Sequence, residues 1–213
     1  MTQRHITIGP EFFAKAKNDY ANWYWAIVRE FGQNSIDCGS KNIEIMLDEQ
    51  VGENQKPITV MTVKNDGTPM TEDILVGKLL SLGGSGKNFA EGSVGGFGKA
   101  KEVLYFSHIH YSIRTGSLFV EGAGATYDLH KDQEYHNGTT SFVVLEGHIQ
   151  RRLEDELRKF AKYAQWSGTL TLNGATLVCD LAKGSRRRDL GFGVVYTNKS
   201  TEYKVVVRIG GIP

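Results

Sequence analysis

The chain has 213 residues, 40% of them apolar and 23% charged, with a formal net charge of +1. That length can bury a substantial core in one large domain or two small ones, and the near-neutral charge excludes a global pull toward nucleic acid or an anionic membrane. No apolar run approaches the ~20 residues of a membrane span, no apolar segment of a secretory signal follows the N-terminal basic residue, and Cys38 and Cys179 make no CxxC pair. The expectation is a cytoplasmic protein in a reducing compartment, without a disulfide framework and without a membrane partner.

In chain order, residues 1–10 read as an extended lead-in. Glu11 to about Cys38 reads as helix, broken near Asn18-Asp19, with Trp23, Ile27 and Phe31 at core spacing. Gly39 stops it as a C-terminal glycine does. Asn42–Leu47 alternates as a strand, Asp48–Pro57 reads as a polar loop, and Ile58–Val63 is a β-branched buried strand closed by the turn Asn65-Asp66-Gly67. Thr71, followed by Glu72 and Asp73, starts a helix to about Leu80. Residues 82–98 hold seven glycines among 17 residues, which predicts a segment that loses much entropy on ordering and orders over a ligand.

Lys99–Phe106 resumes as helix. Strand-like runs follow at Ser107–Arg114, Ser117–Val120, Ala125–Leu129 and Thr139–Leu145, then an amphipathic helix at Ile149–Gln165. Asn173-Gly174 joins Thr169–Leu172 to Ala175–Val178 in a hairpin. Phe192–Tyr196 and Tyr203–Ile209 read as further strands, and Gly210 to Pro213, directly after a strand, suggests a chain cut short. The order predicts an α/β (α+β) sandwich: a mixed, mostly antiparallel sheet with helices on one face. Residues 1–146 are expected to form one domain, and 147–213 the start of a second, transducer-like region.

Chemistry concentrates in a few places. Glu30, Asn34 and Asp37 at i, i+4 and i+7 put two acids and an amide on one helical stripe, with Asp37 favoured as structural. Val94-Gly95-Gly96-Phe97-Gly98-Lys99-Ala100-Lys101 opens a helix, where free backbone N–H groups and the helix dipole favour an anion. Gly86-Lys87 is not a P-loop, because Ser81 and Asn88 stand where that motif needs Gly and Ser or Thr. His108 and His110, at i and i+2, read as ordinary strand residues rather than a metal pair. Lys183, Arg186, Arg187 and Arg188 read as a solvated basic loop, with a phosphate or nucleic-acid contact as the alternative.

Taken in order, these places resemble the GHKL ATPases: type II topoisomerase ATPase subunits, mismatch-repair clamp proteins, heat-shock chaperones and histidine kinases. The ExxxN motif matches Glu30 and Asn34. DxGxG is matched imperfectly by Asn65, Gly67 and Pro69, followed by Met70. GxxGxG is matched by Gly95 and Gly98, with Ala100 in the last place, and Gly138-Thr139 resembles the family's GT signature. The resemblance covers about residues 11–145. It implies the Bergerat fold, with ATP held between helices and a lid formed by residues 82–98.

By that resemblance Glu30 is the general base that activates water, and Asn34 is the Mg²⁺ ligand. Asn65, or Asp66 if the register slips by one, reads adenine. Gly67 lets the purine approach the backbone, Met70 packs as pocket wall or core, and Thr139 supports the base. Gly95, Gly98, Lys99, Ala100 and Lys101 face the phosphates, with Ser85 and Lys87 as further phosphate candidates. The implied activity is Mg²⁺-dependent ATP hydrolysis, with lid closure and a homodimer formed on ATP binding as a clamp or switch. The glutamate at position 30 argues against the histidine-kinase branch. Two alternatives are a nucleotide-sensing module without turnover and a nucleic-acid-binding domain with a decayed pocket. Nucleic acid or a client protein is the expected further partner.

Overall fold

The computed structural model describes residues 10–53, 55–82, 100–164, 166–178, 186–189 and 194–197. The first helix, α1 (Pro10–Ala16), runs into a 3-10 turn at Lys17–Asp19, and the chain breaks there before α2 (Trp23–Asp37). Asn22 caps α2: its Oδ1 accepts from Trp25 N at 3.0 Å, satisfying one of the free donors of the first turn. The far end of α2 closes in a Schellman arrangement. Gly39, at φ +81°, lets its own N–H reach Ile36 O at 2.9 Å while Ser40 N reaches Ser35 O at 3.2 Å.

One eight-stranded sheet carries the fold, in the order β5-β4-β3-β6-β2-β1-β7-β8. Its strands are β1 (Asn42–Val51), β2 (Pro57–Asn65), β3 (His110–Gly116), β4 (Leu118–Ala123), β5 (Thr126–His130), β6 (His136–Glu146), β7 (Thr169–Leu172) and β8 (Ala175–Leu177). All neighbours are antiparallel except β1 and β7, which run parallel. The protein is therefore α+β with a large mixed sheet. Alternation sends Ile43, Ile45 and Leu47 of β1, Met61 and Val63 of β2, and Val143 and Leu145 of β6 to one buried face. Ile27 and Phe31 of α2 join that core, together with Leu153, Leu157 and Phe160 of α4 (Gln150–Tyr163). The two helices meet closely, since a Cβ on Gly32 would lie 2.4 Å from Cζ of Phe160.

Several expectations change. The polar loop is shorter than Asp48–Pro57: β1 continues to Val51, because Asp48 to Val51 pair with Val60 to Pro57 and the turn closes with Gly52 N on Lys56 O at 2.8 Å. The helix begun at Thr71 is α3 (Glu72–Ile74) continued as a π-helical turn over Leu75–Leu79, with a second π turn at Glu102–Phe106. His108 and His110 do not share a strand face. His108 is buried ahead of β3, and His110 begins it. The basic run is not all loop: β9 (Arg186–Asp189) pairs antiparallel with β10 (Val194–Thr197). Beyond residue 146, β7 and β8 extend the same sheet and α4 packs on α2. No helix among the described residues is long and apolar enough to cross a membrane.

Candidate functional site

The strand registers bring Ile43, Asn65, Thr139 and Thr115 into one row across β1, β2, β6 and β3, on the core side at one end of the sheet. Most residues of that face are apolar, so three polar side chains in its last row stand out. The C-terminal end of α2 meets the same place: Asn65 Nδ2 donates to Ser35 Oγ at 3.3 Å, and Thr68 N donates to Cys38 O at 2.9 Å. The helix of the ExxxN pattern, the turn at 65–70 and the Gly138-Thr139 strand thus converge, although they are far apart in sequence.

Close packing fixes two glycines there. A Cβ on Gly138, which sits at φ +81°, would lie 1.9 Å from the Asn65 carbonyl oxygen, and one on Gly67 would lie 2.3 Å from Cys38 Sγ. Thr115, fully buried, links the row: its Oγ1 accepts from Met70 N at 2.8 Å and lies 3.0 Å from both Gly138 O and Thr139 Oγ1. Asn65 Oδ1 accepts from Gly67 N at 3.2 Å. Met70 is partly buried against the core.

Asp66, expected from the sequence as the alternative to Asn65, is turned the other way. Its Oδ1 accepts from Lys41 N at 2.7 Å and Asn42 N at 2.9 Å, and its Oδ2 accepts from Asn42 Nδ2 at 2.7 Å. These hydrogen bonds, that from the Asn42 backbone foremost, hold its carboxyl below the usual range. Asp66 ties the 65–70 turn to the start of β1.

On α2, Glu30 is half-buried and Asn34 exposed, one turn apart. Arg29 Nη1 lies 2.9 Å from Glu30 Oε1. Tyr20 lies in the field of Glu30: burial raises its phenol pKa first, and the charges of Glu30 and Glu102 raise it further. Asp37 accepts from Gln33 Nε2 at 2.6 Å.

Lys101 does not present its ammonium to an open phosphate site. It is almost fully buried, and Nζ donates to Lys78 O at 2.7 Å and to Ser81 O, the carbonyl end of the π turn. Burial lowers its pKa, against the raising effect of Glu102. Ala100 packs partly buried against the core. Gly95, Gly98 and Lys99 lie outside the described residues, as do Ser85, Lys87, Cys179 and the run 203–209.

Among the described residues no group of three or more His, Cys, Asp or Glu could hold a metal ion. A metal held by one amide oxygen and by oxygens of a substrate does not require such a group, and the exposed Asn34 amide suits a hard cation. A separate recess of about 400 Å³ lies at the other end of α2, lined in part by Trp23, Tyr24, Arg152 and Glu156. Its polar groups bind one another: Asn22 Nδ2 donates to Glu156 Oε1 at 2.7 Å, and Arg152 Nη1 donates to the Tyr24 hydroxyl at 3.0 Å.

Sequence reasoning missed Thr115, Ser35 and Tyr20. Thr115 alternates correctly for a buried strand position, and a hydroxyl there is the signal that a polar partner lies across the sheet. Compared with known proteins, the chain matches no family model and no curated sequence.

Proposed function

We propose that the chain binds and hydrolyses a purine nucleoside triphosphate with Mg²⁺ in the manner of the GHKL ATPases it resembles, on a Bergerat-type fold with residues 82–98 as its lid. One observation carries this reading: Ser35 at the end of the Glu30–Asn34 helix, Asn65 in the turn and Thr139 on β6 meet at one end of the sheet. Four separated sequence patterns give a site only if the fold brings them together, and three of them converge here.

In this reading the base lies against Asn65, Gly67 and Thr139, with Met70 beside it. The triphosphate runs along α2 toward Asn34 and Glu30. Asn34 Oδ1 would hold Mg²⁺, which when bound neutralises charge on the phosphate oxygens. Glu30 orients an attacking water and takes its proton. Its half-buried position limits competing solvent, and Tyr20 borders the same carboxylate. Dimerisation on nucleotide binding, and DNA or client-protein output, belong to this reading by resemblance alone.

The test is calorimetric titration of the full chain with Mg²⁺ and a non-hydrolysable purine nucleoside triphosphate, alongside Asn34→Ala. Binding that weakens at least about tenfold in the variant supports the reading. Absence of binding by folded wild-type protein overturns it.

A second reading, nucleotide sensing without turnover, is favoured by the Arg29–Glu30 contact at 2.9 Å, which occupies the carboxylate. The two readings separate on turnover: hydrolysis by wild type that is absent in Glu30→Gln excludes the sensing-only module.

A further inference from the structure

We infer that the ribbon of β9 and β10 is a docking surface for duplex DNA, gripped through its phosphates by the arginines of β9. Resemblance to the GHKL ATPases assigns nucleic acid no surface, and this one is independent of the nucleotide reading above.

The formal charge of +1 hides an uneven distribution. Seven of the 25 Lys and Arg residues, but three of the 24 Asp and Glu residues, fall in residues 179–213. The rest of the chain carries more acids than bases. At physiological salt a charge is felt over ~8 Å, so a phosphate backbone meets the local excess and not the total.

Three of those cations stand on one short strand. β9 pairs with β10 in a two-stranded sheet distinct from the eight-stranded one. The register sets Thr197, Tyr196 and Val195 opposite Arg186, Arg187 and Arg188. None of these is acidic, so no directly opposed residue neutralises the arginines. Successive strand positions alternate between faces. Positions 186 and 188 therefore share one face of the ribbon, and 187 takes the other. With a charge assigned to each face, neither suits burial in an apolar core. Arg188 is exposed.

The choice of arginine points to phosphate, because a planar guanidinium donates to two oxygens at once. The shape of the element points to DNA. A two-stranded ribbon fits the major groove of B-DNA, ~12 Å wide, whereas the deep, narrow major groove of A-form RNA does not admit it. Charge on both faces suits a groove with phosphates along both walls. A flat anionic membrane would engage one face only. Contacts of this kind grip the backbone and read no sequence.

The experiment is fluorescence-anisotropy titration of the full chain, without nucleotide, against a labelled DNA duplex of ~20 bp at several salt concentrations between ~50 and ~200 mM. The proteins are wild type, Arg188→Gln, the triple variant R186Q/R187Q/R188Q, and Arg158→Gln as a control at an exposed position of α4. Wild type is expected to bind with a slope of log K against log salt of about −3. Arg188→Gln should make that slope shallower by about 1. The triple variant should lose at least about tenfold in affinity and most of the slope, and Arg158→Gln should match wild type. Three results overturn the assignment: no DNA binding by folded wild type, equal binding by the arginine variants, or tighter binding of duplex RNA or phosphatidylserine vesicles than of DNA. Arg188→Gln, a single change at an exposed position, decides the matter where the triple variant fails to fold. Because no nucleotide is present, a failure here leaves the nucleotide reading standing.

Discussion

Around Asn65 the polar side chains are held by backbone atoms: Gly67 N on Asn65, Met70 N on Thr115, Lys41 N and Asn42 N on Asp66. Along the stripe of α2 the arrangement is looser. Asn34 is exposed, and Glu30 is met by a neighbouring side chain, that of Arg29. The first region is preorganised, because backbone donors cannot rotate away. The second is positioned only as well as the helix that carries it. In the proposed nucleotide reading, the rigid region suits base recognition, and the looser one suits a group that meets water and a changing phosphate.

The contrast can be broken most severely at Gly138. Gly138→Ala places a methyl group within 1.9 Å of the Asn65 carbonyl oxygen at a positive φ, and a loss of more than about 3 kcal/mol, up to failure to fold, is expected in denaturant melts. On the looser side, Glu30→Gln is expected to lower turnover roughly 10²- to 10⁴-fold while nucleotide affinity and melting temperature stay near wild type. A Glu30→Gln protein that no longer binds nucleotide would show that the stripe is as rigidly coupled to the base end as Thr115 is.

A third handle is His108, buried against the core away from both regions. Its Nε2 lies 2.7 Å from Val103 O, and Nδ1 has no partner among the described residues. Burial lowers its pKa to about 4, helped by Lys17 and opposed by the Val103 bond. As pH falls below the ordinary value of 6.5, the unfolded chain takes up a proton that the folded chain refuses. The stability contribution is therefore full above pH 6.5 and lost as pH falls toward 4, by about 3 kcal/mol. Denaturant melts from pH 7 to 4 should show this slope, and His108→Gln should flatten it. Loss of nucleotide binding in step with that slope would mean that the site melts with the core rather than separately. The smallest effect is expected from Thr115→Val, which leaves Met70 N and Gly138 O unpaired. A loss of about 1–3 kcal/mol is expected, with weaker nucleotide binding and an unchanged turnover rate at saturation.

Much of this arrangement is legible in the amino-acid sequence. Local signals are sufficient for the break near Asn18-Asp19, the stop at Gly39, the cap at Thr71 and the Asn173-Gly174 hairpin, because each depends on a few adjacent residues. The membership of the polar row is partly legible, through Asn65 and Thr139. Thr115 is not, since its role exists only across the β3–β6 register. Nor is the burial of Lys101, whose partners Lys78 and Ser81 lie some twenty residues earlier, on and just past a π turn that no periodicity announces. The end of β1 reads as loop because Asp48, Glu49 and Gln50 are polar. Their pairing with β2 satisfies the backbone whatever the side chains are.

The fastening of α2 at its C-terminal end has a mechanical meaning. Thr68 N on Cys38 O, and Asn65 on Ser35, bolt the helix to the turn. Glu30 sits five positions back from Ser35, ~7.5 Å along the axis at 1.5 Å per residue. The helix is thus a ruler between the Asn65 turn and the Glu30 carboxylate. An inserted residue anywhere between 30 and 35 would both lengthen it and swing the acid about 100° round the axis, and no movement of the strands below could restore the alignment.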